Sequence, residues 1–189
     1  MAYGFRRTMT GKATARLDEV ERGLLRTLAE QLLELVEPPR ATHADPLAVE
    51  LGLEDLDTSV DLAQMEMLSE RDPVLDRLFP PGYEDEQAAM EFRRFTELGL
   101  RQQKTASIKR MLETLPSDHD KVVLTPDDAM AWMTTLNDMR LALSVRLGVE
   151  TEADHERLQL LPDDDPAAGL YHVYDLLTYI QESLIRAMS

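Results

Sequence analysis

The chain has 189 residues, of which 43% are hydrophobic, 30% are charged and only 5% are aromatic. This length is sufficient for one domain with a substantial core, and the composition is globular rather than disordered. The formal net charge of −16 disfavours non-specific binding to nucleic acids or anionic lipids. The absence of cysteine excludes disulfides and thiolate-based sites within the chain. No apolar run approaches the roughly 18 residues of a membrane span, so we expect a cytoplasmic protein with no membrane segment.

The N-terminal segment, residues 1–17, is predicted to form a β-hairpin. It has no helical period, and Thr10, Gly11 and Lys12 form a turn signal in its middle. Asp18 and Glu21 then have capping-box spacing, which predicts the start of a helix over residues 18–37. Leucines at helical spacing follow, and two prolines end the segment.

The next part of the chain, residues 40–83, is less regular. A short helix is predicted over residues 47–51, and an acidic stretch then leads into Leu62, Met65 and Leu68. Asp72 followed by Pro73 is typical of an N-cap with proline at the first helical position. That helix should end at the prolines of residues 80–82.

Three further long helices are predicted over residues 84–115, 126–147 and 167–188. Each has apolar residues at helical spacing and an acidic or proline-containing start. A shorter helix should begin after Thr151. Residues 121–124 can form a third strand that joins the N-terminal strands in one sheet, because both strand regions lead directly into a capped helix. The sequence therefore predicts a mainly α, single-domain helical bundle with a small N-terminal β-hairpin.

Motifs for catalysis, metal binding and cofactor binding are missing from the sequence. There is no phosphate-binding loop, no nucleophile elbow and no EF-hand loop. Glu152 and His155 have the Glu-x-x-His spacing of di-iron helices, but such sites use two copies of this motif. We therefore predict no catalytic residue, no metal and no cofactor, although an enzyme is not excluded.

A cluster of basic residues occupies residues 93–110, where six cations occur against a single acid, Glu97. At helical spacing, four of these cations fall within about 100° of one another. These four, the predicted basic stripe, are Arg93, Arg94, Arg101 and Lys104. One interpretation is a docking surface for an acidic partner or a phosphate ligand. The other is neutralisation by the protein's own acids, including Glu97.

Polar side chains interrupt the apolar stripes of the last two long helices. Arg140 lies within one stripe, with Asn137 nearby, and Gln181 lies within the other. A buried arginine needs a carboxylate or several hydrogen-bond acceptors, because desolvating it costs several kcal/mol. The three residues are therefore predicted either to form a structural polar network or to line a pocket for an anionic ligand.

Several segments resemble an actinobacterial family known only as domain of unknown function 2017. They are residues 132–143, the Arg-Leu-Gly of 146–148, and residues 174–182, whose sequence is Tyr-Asp-Leu-Leu-Thr-Tyr-Ile-Gln-Glu. Residues 5–7 with the helix that follows, and residues 91–104, are similar too. The resemblance covers nearly the whole chain and is weakest over residues 40–71.

The resemblance implies no reaction, because none is assigned to that family. Family genes lie beside the substrate adaptor of an ATP-dependent protease and near cysteine-biosynthesis genes. This neighbourhood implies a link to cytoplasmic proteolysis or cysteine metabolism. Some members carry a transcriptional-regulator label, but the acidity of this chain argues against direct contact with DNA.

The sequence thus favours a non-enzymatic interaction or regulatory protein, with a protein partner or a homo-oligomer and without nucleic acid. The alternative is a small anionic-ligand sensor or enzyme with a pocket around Arg140.

Overall fold

The computed structural model describes residues 3–37, 72–80, 82, 86–162 and 164–189, and the side chains within these ranges except those of Tyr3 and residues 86–95. These residues form three strands and six helices. The strands are β1 (Tyr3–Arg7), β2 (Ala13–Arg16) and β3 (Lys121–Leu124). The helices are α1 (Glu19–Val36), α2 (Pro73–Leu78), α3 (Glu86–Thr114), α4 (Pro126–Leu147), α5 (Glu152–Gln159) and α6 (Pro166–Met188).

The three strands form one antiparallel sheet in the order β1-β2-β3. Alternate residues of β2 and β3 are buried, so one face of the sheet covers the core and the other faces solvent. On the inner face, Phe5 packs edge-on against Trp132 of α4, with ring centroids 5.6 Å apart. The predicted hairpin and the predicted third strand at residues 121–124 are both confirmed.

Side chains of α6 bind the outer edge of β1. The Gly4 N–H donates to the Tyr179 hydroxyl at 3.2 Å, and the Phe5 N–H donates to Ser183 Oγ at 2.9 Å. The approach is close, because a Cβ atom at Gly4 would lie 2.7 Å from Ser183 Cβ. This contact therefore requires a residue without a side chain.

Side-chain caps start α1, α4 and α5. Asp18 and Glu21 form the predicted capping box of α1, and Thr125 with Asp128 forms the same arrangement at α4. Each box satisfies main-chain N–H groups that have no partner within the helix. At the other end of α4, Gly148 adopts a left-handed conformation with φ 64°, which favours glycine.

Helix α4 is the central element of the core. It packs against α1, α2, α3 and α6, and Trp132 and Leu136 are fully buried within it. Buried side chains from all three strands and all six helices join one hydrophobic cluster. The predicted mainly helical class is confirmed, and the predicted long helices agree with the observed bounds to within two residues. The short helix predicted over residues 47–51 lies outside the described residues.

No helix in the described part of the chain combines the length and the apolarity that crossing a bilayer requires.

Replacing Gly4 with alanine should destabilise the protein by about 1–3 kcal/mol, because the added methyl group would overlap Ser183 unless β1 or α6 moves. Gly23 provides a control, since it lies in α1 and a Cβ atom there would meet nothing within 4 Å. Gly23→Ala should stabilise the protein by about 0.5–1 kcal/mol. Urea unfolding of both variants measures the difference, and equal effects would contradict the proposed close contact.

Candidate functional site

Two residues of the predicted basic stripe lie inside the protein. Arg101 is only 4% exposed, and its Nη2 lies 2.7 Å from Glu97 Oε1 one helical turn away. Its Nη1 donates to the carbonyl oxygens of Leu35 and Val36 at 3.4 and 3.3 Å. These carbonyls belong to the last turn of α1, which carries no basic residue of its own. Arg101 thus supplies the positive charge that a helix C-terminus favours.

Lys104 occupies the position one turn further along α3. Its Nζ lies 2.7 Å from Asp138 Oδ1, and the Asp138 side chain is 2% exposed. The ring of Phe79, just after α2, lies 4.9 Å from the Arg101 guanidinium carbon and 5.8 Å from Lys104 Nζ. At these distances both cations interact with the aromatic face. We call Glu97, Arg101, Lys104, Asp138 and Phe79 the buried ion cluster.

Asp138 is the costliest member of the buried ion cluster. Burial raises the pKa of its carboxyl above the ordinary value, and the hydrogen bond and charge of Lys104 only partly oppose this. Its Oδ2 atom is buried with no hydrogen-bond partner in the described structure, as is Oγ1 of Thr105. Such an unpaired oxygen is expensive to bury, so Asp138 links α3 to α4 at a cost in free energy.

The remaining cations of this part of α3 are also paired. Lys109 Nζ lies 2.8 Å from Glu37, and Arg110 Nη2 lies 2.6 Å from Asp128 of the α4 cap. Burial opposes ionisation of Asp128, but the hydrogen bonds from Thr125 and Arg110 outweigh it and lower its pKa. Every Lys and Arg between residues 101 and 110 therefore has a carboxylate partner within the protein. The side chains of Arg93 and Arg94 lie outside the described ones, so a docking role for the stripe stays a prediction.

Arg140 and Gln181 lie together between α4 and α6. Arg140 Nη1 donates to Gln181 Oε1 at 2.6 Å and Nη2 donates to the Tyr174 hydroxyl at 3.3 Å. The guanidinium carbon also lies 5.3 Å from the centroid of the Tyr174 ring. The third predicted residue, Asn137, is exposed. The contacts of Tyr174 continue to His155 of α5, with ring centroids 5.5 Å apart.

The pairing of Arg140 differs from that of the α3 cations. Among the described residues no carboxylate lies within ion-pair distance, and its buried Nε has no acceptor. Two cavities lie nearby, one of about 300 Å³ between α1, α2 and α4, and one of about 220 Å³ between α5 and α6. Neither is lined by Arg140, Asn137 or Gln181. A ligand role for these three residues therefore stays a prediction.

Metal-binding geometry is missing from the described ranges, in which no three His, Asp or Glu side chains converge as ligands. His155 packs against Tyr171 and Tyr174, and His172 is exposed beside the smaller cavity. Within those ranges, no such group of three includes Glu152 or His155.

Sequence reasoning missed Asp138, the two carbonyl groups bound by Arg101, and Tyr174. Asp138 stands between Asn137 and Met139 on a largely buried helix, and an acid at such a position is a usable signal for an internal ion pair. The two carbonyl groups bound by Arg101 have no sequence signal, because they are main-chain atoms that meet α3 only through tertiary packing. Tyr174 was assigned to no cluster, although a tyrosine on a buried face usually finds a polar partner.

Comparison with known proteins identifies relatives of this chain. The model of the family described as Domain of unknown function (DUF2017) matches residues 2–188. The protein named oxidative stress regulator AosR from Mycobacterium tuberculosis is 31% identical over 128 residues, covering 60% of this chain and 57% of the relative. The AosR protein of Mycobacterium bovis matches with the same identity and coverage. This chain therefore spans only 57% of the length of these curated relatives. No solved structure matches the chain.

The stability contributed by Asp138 should increase as the pH falls. Its pKa is raised in the folded protein, so the folded state holds this proton more tightly than the unfolded state does. The free energy of unfolding of the wild type, measured relative to Asp138→Asn, should therefore rise as the pH is lowered from about 7 to about 4.

Asp128→Asn is the matched control, for which the pH dependence should have the opposite sign. The pKa of the Asp128 carboxyl is lowered in the folded protein. The stability that Asp128 contributes is therefore present above pH 3.8 and is lost as the pH falls below that value. Equal pH profiles for the two variants would contradict this assignment.

Removing one partner of the buried Glu97–Arg101 pair should be strongly destabilising. Arg101→Met leaves a buried carboxylate and two helix-end carbonyls without their cation, at a cost of about 3–5 kcal/mol. The double variant Glu97→Met, Arg101→Met should lose less than the sum of the single variants, because neither charge is then left alone. Arg186→Met is the control, since its 3.6 Å pair with Glu182 is 65% and 59% exposed and such pairs contribute at most about 1 kcal/mol. Chemical denaturation completes the double-mutant cycle, and additive losses would contradict the pairing.

Proposed function

The chain belongs to the DUF2017 family, and from this premise we propose that it is a non-enzymatic regulatory protein that acts by binding another protein. The observation that carries the proposal is the match at 31% identity to proteins named oxidative stress regulator. The name describes those relatives, and its extension to this chain is the proposal. The relatives carry residues beyond the matched part, so any activity of the whole relative is extended to this chain only as a proposal.

The charged groups of the described residues have structural explanations and so give no support to a catalytic role. The described part of the basic stripe is occupied in holding α1, α2, α3 and α4 together, and Asp138 is tied to Lys104. Perturbed carboxyl groups often mark catalytic sites, but structural ion pairs perturb pKa values as well. The pKa shifts of Asp138 and Asp128 are explained by burial, a cap and their ion pairs.

A direct response to oxidants in this chain cannot use cysteine, and methionine is the other sulfur-containing side chain that oxidants modify readily. The 189 residues contain ten methionines and no cysteine, so a thiol–disulfide switch has no residues to work with. Met9 at the hairpin turn is fully exposed and Met130 on α4 is 53% exposed. Oxidation to the sulfoxide converts such apolar side chains into polar ones. We propose that the chain transmits a signal through a partner rather than through its own thiols.

The finer assignments remain part of the proposal. They are residence in the cytoplasm, a link to proteolysis or cysteine metabolism, and a role for Arg93 and Arg94 in docking. Self-association is a further prediction of the same class. Each concerns a partner or a compartment rather than a contact within the described residues.

A second candidate function is a sensor of small anions at Arg140. The observation that favours it is a partly buried guanidinium whose described contacts are all uncharged. A carboxylate or phosphate would supply the missing negative charge. The buried Nε of Arg140, which has no acceptor, marks the unmet bonding capacity.

Capture of a partner from the native cell tests the regulatory proposal. The tagged full chain, crosslinked in the cell and purified, should recover one reproducible protein that also recovers this chain in the reverse experiment. Reversing Arg93 and Arg94 to glutamate should reduce recovery about tenfold if the stripe docks, which corresponds to about 1.4 kcal/mol. Arg77→Glu with Arg157→Glu changes the net charge equally and is the control. If no protein is recovered in both directions, the regulatory proposal is contradicted. If the partner is recovered equally well by the charge-reversed variant, Arg93 and Arg94 have no role in docking.

Phosphate binding tests the second candidate. Inorganic phosphate should raise the melting temperature of the wild type in a saturable manner, because a ligand that binds only the folded state stabilises it. Arg140→Gln should abolish this increase. An equal increase in both proteins, or the same increase with chloride of equal ionic strength, would assign the effect to salt and contradict an anion site.

A further inference from the structure

The solvent-facing side of the three-stranded sheet is basic, in contrast to the rest of the protein. Residues 1–17 contain Arg6, Arg7, Lys12 and Arg16 and no acid. This leaves 16 of the 20 Lys and Arg residues and all 36 Asp and Glu residues for the remaining chain. A positive patch on a strongly acidic body is an asymmetry that charge complementarity can use.

The strand register places these cations next to one another. Arg6 pairs with Thr14, which pairs with Val123, so these three form one row across the outer face. Arg16 and Lys121 are partners in a second row. Side chains of partner residues in a sheet lie about 5 Å apart on the same face. The outer face therefore presents Arg6, Arg16 and Lys121 around Val123, which is 43% exposed.

These cations are not neutralised in the way that the α3 cations are. Among the described residues, the side chains of Arg6, Lys12 and Lys121 make no ion pair. Arg16 has one acidic partner, Asp120 at 3.1 Å, and that pair is 67% and 49% exposed. An exposed pair of this kind contributes little and is readily exchanged. Positive charge on the sheet is thus available to a partner.

Strand β3 also has an open edge. The Leu17 N–H donates to the Asp120 carbonyl at 2.8 Å, and hydrogen-bonded pairs alternate along an antiparallel ladder. The main-chain groups of Lys121 and Val123 therefore point away from β2. Within the described chain no further hydrogen bond reaches them. The other edge, at β1, is occupied by Tyr179 and Ser183.

We propose that the sheet is a docking surface for an extended acidic segment of a partner protein, which pairs with the open edge of β3, contacts Lys121 there, and is attracted by the charges of Arg16 and Arg6 on the neighbouring strands. This inference rests on the proposed function, because it names the surface through which a partner binds. Main-chain pairing along an open edge supplies affinity, and the basic side chains select an acidic sequence. Val123 offers one apolar contact at the centre.

Two other occupants fit the observations less well. Pairing β3 with the β3 of a second copy would bring the two basic faces side by side, which like charges oppose. Nucleic acid would meet a body of strongly negative charge, which opposes its binding.

A binding assay with a defined probe tests this inference. The probe is a fluorescein-labelled octapeptide of alternating glutamate and valine, titrated into the full chain and followed by anisotropy. The variant Arg6→Glu, Lys121→Glu should bind it about tenfold more weakly, and added salt should weaken binding to the wild type. Arg77→Glu with Arg157→Glu, on α2 and α5, has the same net charge and should bind like the wild type. Amide shifts in NMR spectra should change at Lys121 and Val123.

Several results would overturn the inference. The first is that the wild type does not bind the acidic peptide. The second is that the Arg6→Glu, Lys121→Glu variant binds the peptide as tightly as its control variant does. The third is that the amide shifts change only in the helices. Tighter binding of a twelve-nucleotide single strand would assign the face to nucleic acid, and a dimer lost in the sheet variant would assign it to a second copy. The assay needs no native partner, so its failure leaves the regulatory proposal standing, whereas failed capture from the cell contradicts that proposal alone.

Discussion

The buried ion cluster is the constraint on which the arrangement of four helices depends. A guanidinium and a carboxylate taken out of water must find each other in the folded state, or each costs several kcal/mol. Arg101 meets this requirement through Glu97 and through carbonyls at the end of α1, and Lys104 meets it through Asp138 of α4. The spacing of these groups along α3 therefore fixes where α1 and α4 lie on it, which apolar contacts alone would specify less sharply.

The protein uses its cations in two different ways. On α3 each cation with a described side chain pairs with an acid in the same helix or in a neighbouring part of the fold, and these ion pairs hold the helices together. On the sheet the cations lie beside one another with few acids nearby, which costs the folded state some repulsion. Proteins commonly accept lower stability at surfaces that bind partners. The sheet is accordingly the more informative of the two basic regions.

Sequence patterns predicted most of the described fold because its signals are local. A cap such as Thr125 with Asp128, or a glycine such as Gly148, marks a helix end within a few residues, and the helix bounds agreed closely. The pattern around residues 93–110 was less informative, because helical spacing shows that cations share a face but not what the face meets. Arg101 was predicted to lie in a basic stripe, and Arg140 within an apolar stripe. Only the packing shows that one pairs with a carboxylate and the other with an amide and a phenol.

The sheet joins parts of the chain that are far apart in sequence. Residues 13–16 pair with residues 121–124, and Phe5 is hydrogen-bonded to a side chain 178 positions later. Such long-range contacts close large loops and raise the contact order, which slows folding. During synthesis the hairpin of β1 and β2 emerges before its final neighbours on α6. Until α6 is made, β1 lacks the Tyr179 and Ser183 partners of its outer edge, and an unpaired strand edge of this kind is prone to aggregation.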